Sequence, residues 1–545
     1  MAKRKREAAS EGEVAQSKPS VKKAKAGPRP TQSQYVAKLG DGSPVTIQII
    51  AGSYDRVLHG ITATVKPSAA STTTTAVKKK SKDANPPPPE KKNEKQAEFA
   101  DTFLFNAHNS AIRCLAVSPP SAPAPGQTQK VLLATGSTDE RINIYNLSAH
   151  PPPTTSRSTG QHNKLLSSLA PRPILENPKN RELGTLLHHT GNISRLAFPT
   201  RSKLLSAAED STIAVTRSRD WTLLHTFKCP RPKPPAGGRP SGDTADAGGL
   251  PTGVNDFAVH PSNKIMISVS KGERCMRLWN LETGKKSRVL NFEKGMLNEI
   301  GEGGRGMRWA TGEARRIVWG VVKGEEEFAV GFDRDVVVYG MDCRVRCRVM
   351  GDAATLRTKV HEVCYVDVRT QIKDGKEGDA EEEEEEEEEE DCVLAVSTED
   401  GRVLFFATDK GSLQGPPEGK TLPTAKLVAQ LGGKEAGVSG RIKDFRVLTV
   451  QGEDGKRAFF VVTAGSDGQI RLWLLAASDL VVAKGSNNSA TPQQVGKLLG
   501  TYGTQNRITC VEAFIMIRRP DGAEESEFEF DSEDDDEEEE DSDEE

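Results

Sequence analysis

The sequence predicts an all-β chain that closes into a ring of seven four-stranded sheets, a seven-bladed β-propeller. Three observations carry that prediction. Seven short apolar islands each turn on an acid: Asp55, Asp139, Asp210, Glu273, Asp333, Asp400 and Asp467. Three residues after the acid stands an apolar side chain, namely Leu58, Ile142, Ile213, Met276, Val336, Val403 and Ile470. Six residues after it, five of the seven positions are aromatic (Tyr145, Trp279, Tyr339, Phe406 and Trp473, with Ile61 and Thr216 at the other two), although the chain is only 5% aromatic. A constant phase of this kind marks a repeat architecture.

Each island reads as a hairpin. One strand ends, the acid and its small neighbours make a tight turn, and a second alternating strand follows. The acid caps backbone N–H groups of the turn, and the aromatic packs between adjacent sheets. A further short strand precedes most hairpins: 111–117, 192–198, 254–260, 316–322, 362–368 and 441–447. Outer strands follow them, as at 222–228 and 287–293, which makes four strands per unit. The first hairpin, within 45–65, has no strand before it, and the strand 507–515 has no hairpin after it. These two halves complete each other, so the ends interlock and the ring leaves no open inner edge.

Between the islands lie segments too polar to offset their ordering entropy. The expected organisation is a disordered basic arm over 1–34, a propeller over 35–518 with disordered insertions near 66–98, 148–182, 229–252 and 370–391, and an acidic disordered tail over 519–545. Shorter polar runs occupy 411–424 and 484–494.

The net charge of −4 conceals a segregation. Residues 377–391 hold 13 acids and residues 524–545 hold 17; the rest of the chain has 48 acids against 74 bases. A basic body with separate acidic tracts suits a polyanionic partner. No apolar run approaches the ~18 residues of a membrane-spanning helix, and the basic start MAKRKREAAS has no apolar segment behind it to make a secretory signal. Eight dispersed cysteines without zinc spacing fit a reducing compartment.

Catalytic and cofactor signals are weak. GEGGRG at 301–306 matches a dinucleotide fingerprint in letters but lacks the strand before and the helix after, so it reads as a loop. His188 and His189 are adjacent and so point to opposite strand faces, which suits no metal box. The acidic runs lack the differentiated environments of an acid–base pair. No enzyme, no cofactor and no metal site is expected.

Three charged features remain. Lys3, Arg4, Lys5 and Arg6, with Lys22, Lys23 and Lys25, look like nuclear import signals. Arg344, Arg346 and Arg348 alternate along one strand face and form a candidate basic contact, if that strand is an outer one. Ser526, Ser532 and Ser542 stand in acidic contexts that suit acid-directed kinases.

Trp279-Asn280 and Trp473-Leu474 stand where WD-repeat proteins carry Trp-Asp, and His108 and His189 stand at that family's Gly-His position. The chain therefore resembles WD-repeat propellers. The resemblance implies a buried hydrogen-bond network in the second blade from His108, Ser137, Asp139 and Tyr145. The segments AGSYDRVLHG, GSTDERINIYNL, ELGTLLHHTGNISRLAF, LLSAAEDSTIAV, SRDWTLLHTFK and VNDFAVHPSNKIMISVSKGERCMRLWNLETGK are similar, in order, to the p21-activated-kinase-interacting-protein family, whose fungal members are maintenance-of-killer ribosome-assembly factors. That likeness implies a non-catalytic scaffold of large-subunit biogenesis in the nucleus and nucleolus. Its implied partners are pre-ribosomal particles, other assembly factors, ribosomal-like proteins and ribosomal RNA bound through the basic arms. It would be monomeric within a large complex and away from membranes. Two other readings stay open: inhibition of a p21-activated kinase, and histone binding by a chromatin scaffold.

Overall fold

A computed structural model describes residues 37–39, 43–66, 96–123, 127–152, 174–177, 179–230, 252–301, 312–350, 358–369, 392–416, 421–452, 456–481 and 493–519. The expected import signals, the acidic runs, GEGGRG beyond its first residue Gly301, and the three acidic-context serines lie outside the described residues.

Strands are numbered in chain order. The second blade holds β4 (Ile112–Val117), β5 (Lys130–Ser137), β6 (Ile142–Ser148) and β7 (Arg181–Leu186). The third holds β8 (Ile193–Thr200), β9 (Lys203–Ala208), β10 (Thr212–Arg217) and β11 (Leu223–Lys228). The fourth holds β12 (Val254–Val259), β13 (Ile265–Ser270), β14 (Cys275–Asn280) and β15 (Lys285–Asn291). The fifth holds β16 (Arg316–Val322), β17 (Glu325–Gly331), β18 (Val336–Gly340) and β19 (Val345–Arg348). The sixth holds β20 (Val360–Asp367), β21 (Cys392–Thr398), β22 (Arg402–Ala407) and β23 (Lys426–Gly432). The seventh holds β24 (Ile442–Gln451), β25 (Arg457–Gly465), β26 (Gln469–Ala476) and β28 (Lys497–Gly503).

The first blade closes the ring. Its strands β1 (Val45–Ser53), β2 (Val57–Val65) and β3 (Ala97–Asn106) are completed by the last strand, β29 (Ile508–Ile515), which pairs antiparallel with β1 from Ile47↔Ile515 to Ser53↔Ile508. Two further contacts reinforce this seam. Leu39 N donates to Gln451 O and Gln451 N to Ala37 O, which ties the approach to β1 onto the seventh blade. Ile517 N donates to Ala149 O, which ties the exit from β29 onto the second.

Burial follows from the strand pattern. Both faces of the middle strands are covered, so apolar residues run almost continuously instead of alternating with polar ones. Seven apolar clusters result, one in each seam between neighbouring sheets. Ile49 enters the seam with the seventh blade and Ile50 the seam with the second, as a two-residue period requires. Glycine is needed where the seams are tightest. A Cβ at Gly52 would lie 2.7 Å from Cys510 Sγ and from Ile112 Cγ2, and one at Gly136 would lie 2.6 Å from Ile193 Cγ2.

Three features depart from a plain four-by-seven array. Gln493 and Gln494, within the expected polar run 484–494, form β27, which adds in parallel to β23 and links the sixth blade to the seventh. Gln414 and Thr424, within the expected run 411–424, pair with each other. A short helix, α1 (Lys294–Glu299), buries Met296 and Leu297 in the seam between the fourth and fifth blades.

Candidate functional site

All seven acids stand at the turn between the two middle strands of a blade, at one end of the ring, here the turn face. The turn needs a left-handed residue just after the acid in five blades: Arg56 (φ 72), Glu140 (φ 68), Ser211 (φ 68), Gly401 (φ 83) and Gly468 (φ 76). Asp139 accepts from Asn109 N at 3.0 Å and Arg141 N at 3.1 Å, and Asp210 accepts from Thr190 N and Thr212 N. Asp467 accepts from Gln469 N and from Arg471, and Glu273 chelates the Arg277 guanidinium. Asp333 pairs with Arg315 at 3.0 Å, Asp400 with Arg402 at 2.7 Å, and Asp55 reaches the Arg507 N–H at 3.4 Å.

The buried network has different members from those expected. His108 reaches Asp139 through Nδ1 and Thr135 Oγ1, at 2.7 Å, through Nε2. Ser137 instead donates to Ser110 O, and no hydrogen bond joins Tyr145 to the histidine among those the structure shows. The reason is position: Thr135 lies four residues before the acid and faces the same seam as the histidine, while Ser137 lies at the turn. The third blade repeats this with His189, Asp210 and Ser206 at 2.8 Å. In the fourth and seventh blades the hydroxyl takes the indole instead, Trp279 Nε1 to Ser268 at 2.8 Å and Trp473 Nε1 to Thr463 at 3.2 Å.

The three arginines of the candidate basic contact do not share one environment. Arg344 is exposed. Arg346 pairs with Glu325 at 2.7 Å and Glu327 at 3.0 Å. Arg348 is buried and pairs with Asp335 at 2.9 Å. The pairing of β18 with β19 shifts between Val338 and Tyr339, so simple alternation does not hold along this strand. Strand β19 is an outer strand, but only Arg344 of the three is exposed, and its guanidinium stands 3.9 Å from Asp342.

Inner strands converge on the central channel, and a β-bulge near their start in most blades rotates one residue of each toward it. At that level stand Cys114, Arg195, Asp256, Arg316, Glu362, Asp444 and Cys510. Arg195 meets Asp256 at 3.2 Å in the next blade and Glu362 at 3.4 Å across the channel. Arg316 meets Glu362 at 3.2 Å. Asp256 accepts from Ile317 N at 3.1 Å, and Asp444 accepts from Val511 N at 2.9 Å, so each carboxylate fastens the inner strand of the following blade. Arg446 grips Glu512 with two bonds, 2.8 and 2.9 Å, across the closing seam.

A protein-family model described as WD domain, G-beta repeat matches residues 180–215, which hold His189, Ser206 and Asp210. Protein MAK11 of Saccharomyces cerevisiae is 27% identical over 415 residues, covering 71% of this chain and 72% of the relative. The p21-activated protein kinase-interacting protein 1-like proteins of Xenopus laevis and Gallus gallus are 22% and 21% identical, covering 78% and 76% of this chain and 76% and 73% of their own. The chain is a WD40-repeat protein related to these. Its repeats belong to a scaffold family that is typically non-catalytic.

Electrostatics set the channel of this WD40-repeat protein apart from its surface. Burial works against the Glu362 carboxylate, yet Arg195, Arg316 and Arg446 overcome it and hold its pKa at about 2. At Asp256 burial wins over Arg195 and Arg316 and pushes the carboxyl up. At Asp444 burial again wins, and the carboxyl rises to about 6 despite Arg446. Sequence reasoning missed this network altogether. Its linear trace is a charged residue third in β8, β12, β20 and β24 and first in β16, which reads as a polar position on a half-buried strand. No helix among the described residues is long and apolar enough to cross a membrane. No group of three or more His, Cys, Asp or Glu among them is placed to hold a metal ion.

Proposed function

We propose that this WD40-repeat protein is a non-catalytic scaffold for assembly of the large ribosomal subunit in the nucleolus. It would bind other assembly factors and pre-ribosomal RNA–protein surfaces. The observation that carries this is similarity to Protein MAK11 over 415 residues, because a propeller alone serves many functions. A braced ring supports it: seam clusters and channel ion pairs hold the blades in register and present loops at both ends. The basic residues of 1–34, with Lys3, Arg4, Lys5, Arg6, Lys22, Lys23 and Lys25, supply nuclear import and sequence-independent phosphate contact. Cosedimentation of the full chain with large-subunit precursors tests this; a chain confined to particle-free fractions overturns it. Removal of 1–34 should abolish nuclear entry and leave folding intact.

The names of the frog and chicken relatives favour a second reading, regulation of a p21-activated kinase. A direct pull-down of the kinase that survives ribonuclease treatment distinguishes it.

A further inference from the structure

The end of the ring away from the turn face carries a cluster of cations without counter-charges. Ile193 pairs with Ala208 beside the acid turn, so β8 runs away from that face, and at its far end Thr200 pairs with Lys203 across a tight turn. From this turn Arg201 reaches the second blade. Its Nη1 donates to Lys130 O at 2.8 Å, Pro119 O at 3.1 Å and Ser118 Oγ at 3.4 Å, all neutral acceptors. Burial lowers its pKa, and no carboxylate offsets that. Exposed Lys130 and Lys203 flank it, and exposed Lys179 adjoins them by donating to Thr128 Oγ1 at 3.0 Å. Among the described residues no ion pair engages any of these four cations, and the acid of the neighbouring loop, Asp220, is taken by Arg217 at 3.3 Å. A half-buried guanidinium held only by neutral groups, with lysines on either side, favours an incoming anion.

The chain leaves the ring beside this cluster. Like β8, β29 runs away from the turn face, from Ile508 opposite Ser53 to Ile515 opposite Ile47. Its exit is fixed on the second blade. Ile517 N donates to Ala149 O at 2.8 Å, and His150 Nδ1 donates to Ile517 O at 2.9 Å. His150 Nε2 in turn accepts from Gln129 N at 2.9 Å, and the next residue, Lys130, is the one whose carbonyl holds Arg201. Three hydrogen bonds thus link Ile517 to Arg201. Past Arg519 the sequence runs PDGAEESEFEFDSEDDDEEEEDSDEE. At ~3.3 Å per extended residue, the stretch from Ile517 to Glu524 spans ~23 Å, which covers that path. The same end of the third blade offers apolar surface. Leu223 and Leu224, which open β11, are 45% and 41% exposed. The tail holds Phe528 and Phe530, spaced to share one face of an extended segment.

We propose that the acidic tail 520–545 docks on this cluster of its own ring. Glu524, Glu525 and Glu527 meet Arg201, Lys130 and Lys203, and Phe528 and Phe530 cover Leu223 and Leu224. The tail is assigned rather than the other acidic run, because 377–391 is tethered at both ends to the sixth blade, across the ring from the second and third. It is assigned rather than a nucleic-acid backbone, because phosphates would answer the cations and leave the two leucines bare. Tethering also gives the tail an effective concentration of about millimolar, which a separate polyanion must exceed. The docked tail therefore screens this end of the ring from other polyanions. The inference goes beyond the ribosomal reading and stands without it.

The test is zero-length carbodiimide cross-linking of the full chain at low salt, read by mass spectrometry on an equal mixture of unlabelled and isotope-labelled protein. Links from the acids of 521–529 to Lys130, Lys179 and Lys203 are expected within single molecules. They should be about tenfold more frequent than links to Lys434, an exposed lysine near the turn face, and should fade at high salt. Lys130→Glu with Lys203→Glu, both at exposed positions, should lower the links to Lys179 about tenfold. Phe528→Ser with Phe530→Ser should lower them severalfold. Links spread evenly over the surface lysines, Lys434 included, overturn the proposal. So do links found only between differently labelled molecules, since the occupant would then be a second copy. An unchanged yield in the lysine variant overturns it too. An unchanged yield in the phenylalanine variant, with the tail displaced by a stoichiometric oligouridylate, also overturns it, since the site would then select polyanions of any kind.

Discussion

Arg446→Ala should open the ring at its closing seam. The guanidinium donates to Glu512 at 2.8 and 2.9 Å and to Asp444 at 2.9 Å, with 23% of the Arg446 side chain exposed and 15% and 7% of its partners. An exposed pair would contribute about 0.2–1 kcal/mol. Here removal of the cation strands two carboxylates in a site that also faces Glu362. Breaking a buried pair from one side costs about 3–5 kcal/mol, and partial exposure places this loss near the lower end, about 3 kcal/mol. Urea unfolding followed by tryptophan fluorescence measures it. Adding Glu512→Gln to Arg446→Ala should recover part of the loss, because it neutralises a stranded charge, whereas Glu512→Gln alone should destabilise. The pH dependence has a definite sign. A folded-state carboxyl pKa raised above its unfolded value contributes stability at low pH that is lost as pH rises. Asp444 already stands at about 6, and without Arg446 it rises further, so the variant's deficit should be larger at pH 8 than at pH 5. Hydrogen exchange should accelerate first in β29, β1 and β24. A loss below about 1 kcal/mol, or an equal cost of Glu512→Gln in both backgrounds, would refute the reasoning.

Other outcomes follow from the same geometry. Deletion of 507–515 should unfold more than the first blade, read as lost circular dichroism and new protease sites in the second and seventh as well, since within it Thr509 Oγ1 donates to Ile112 O and Glu512 accepts from Arg446. Burial opposes the Asp210 charge, but His189 and Thr212 hold its pKa at about 2; against an unfolded value near 3.9 this contributes about 2–3 kcal/mol above pH 4. That stability should fade as pH falls toward 2, and Asp210→Asn should flatten the acid limb of the stability curve. Glu140→Gly should stabilise by up to about 1 kcal/mol in thermal unfolding, because the exposed Glu140 holds φ 68 at no evident benefit. Thr135→Val should cost about 1–3 kcal/mol by leaving His108 Nε2 buried without its 2.7 Å partner.

Blade number, phase and closure were legible in the sequence because each rests on short-range periodicity. The acid, the apolar residue three later and the aromatic six later lie within one hairpin, and a hairpin is decided by its own turn. The unpaired first hairpin and the surplus strand 507–515 needed only counting. The channel was not legible, because its partners are distant: Arg195 and Glu362 are 167 residues apart and meet only once three intervening seams set the curvature. Arg348 reads as an outward basic residue until the shift in β19 and the packing of Asp335 bury it. Thr135 rather than Ser137 joins His108 because seam geometry, not proximity to the turn, selects the hydroxyl. Local hydrogen-bonding and hydrophobic pattern thus determine which strands exist and in what order. Which charges meet, and which stay open to a partner, is decided by the radial convergence of seven sheets.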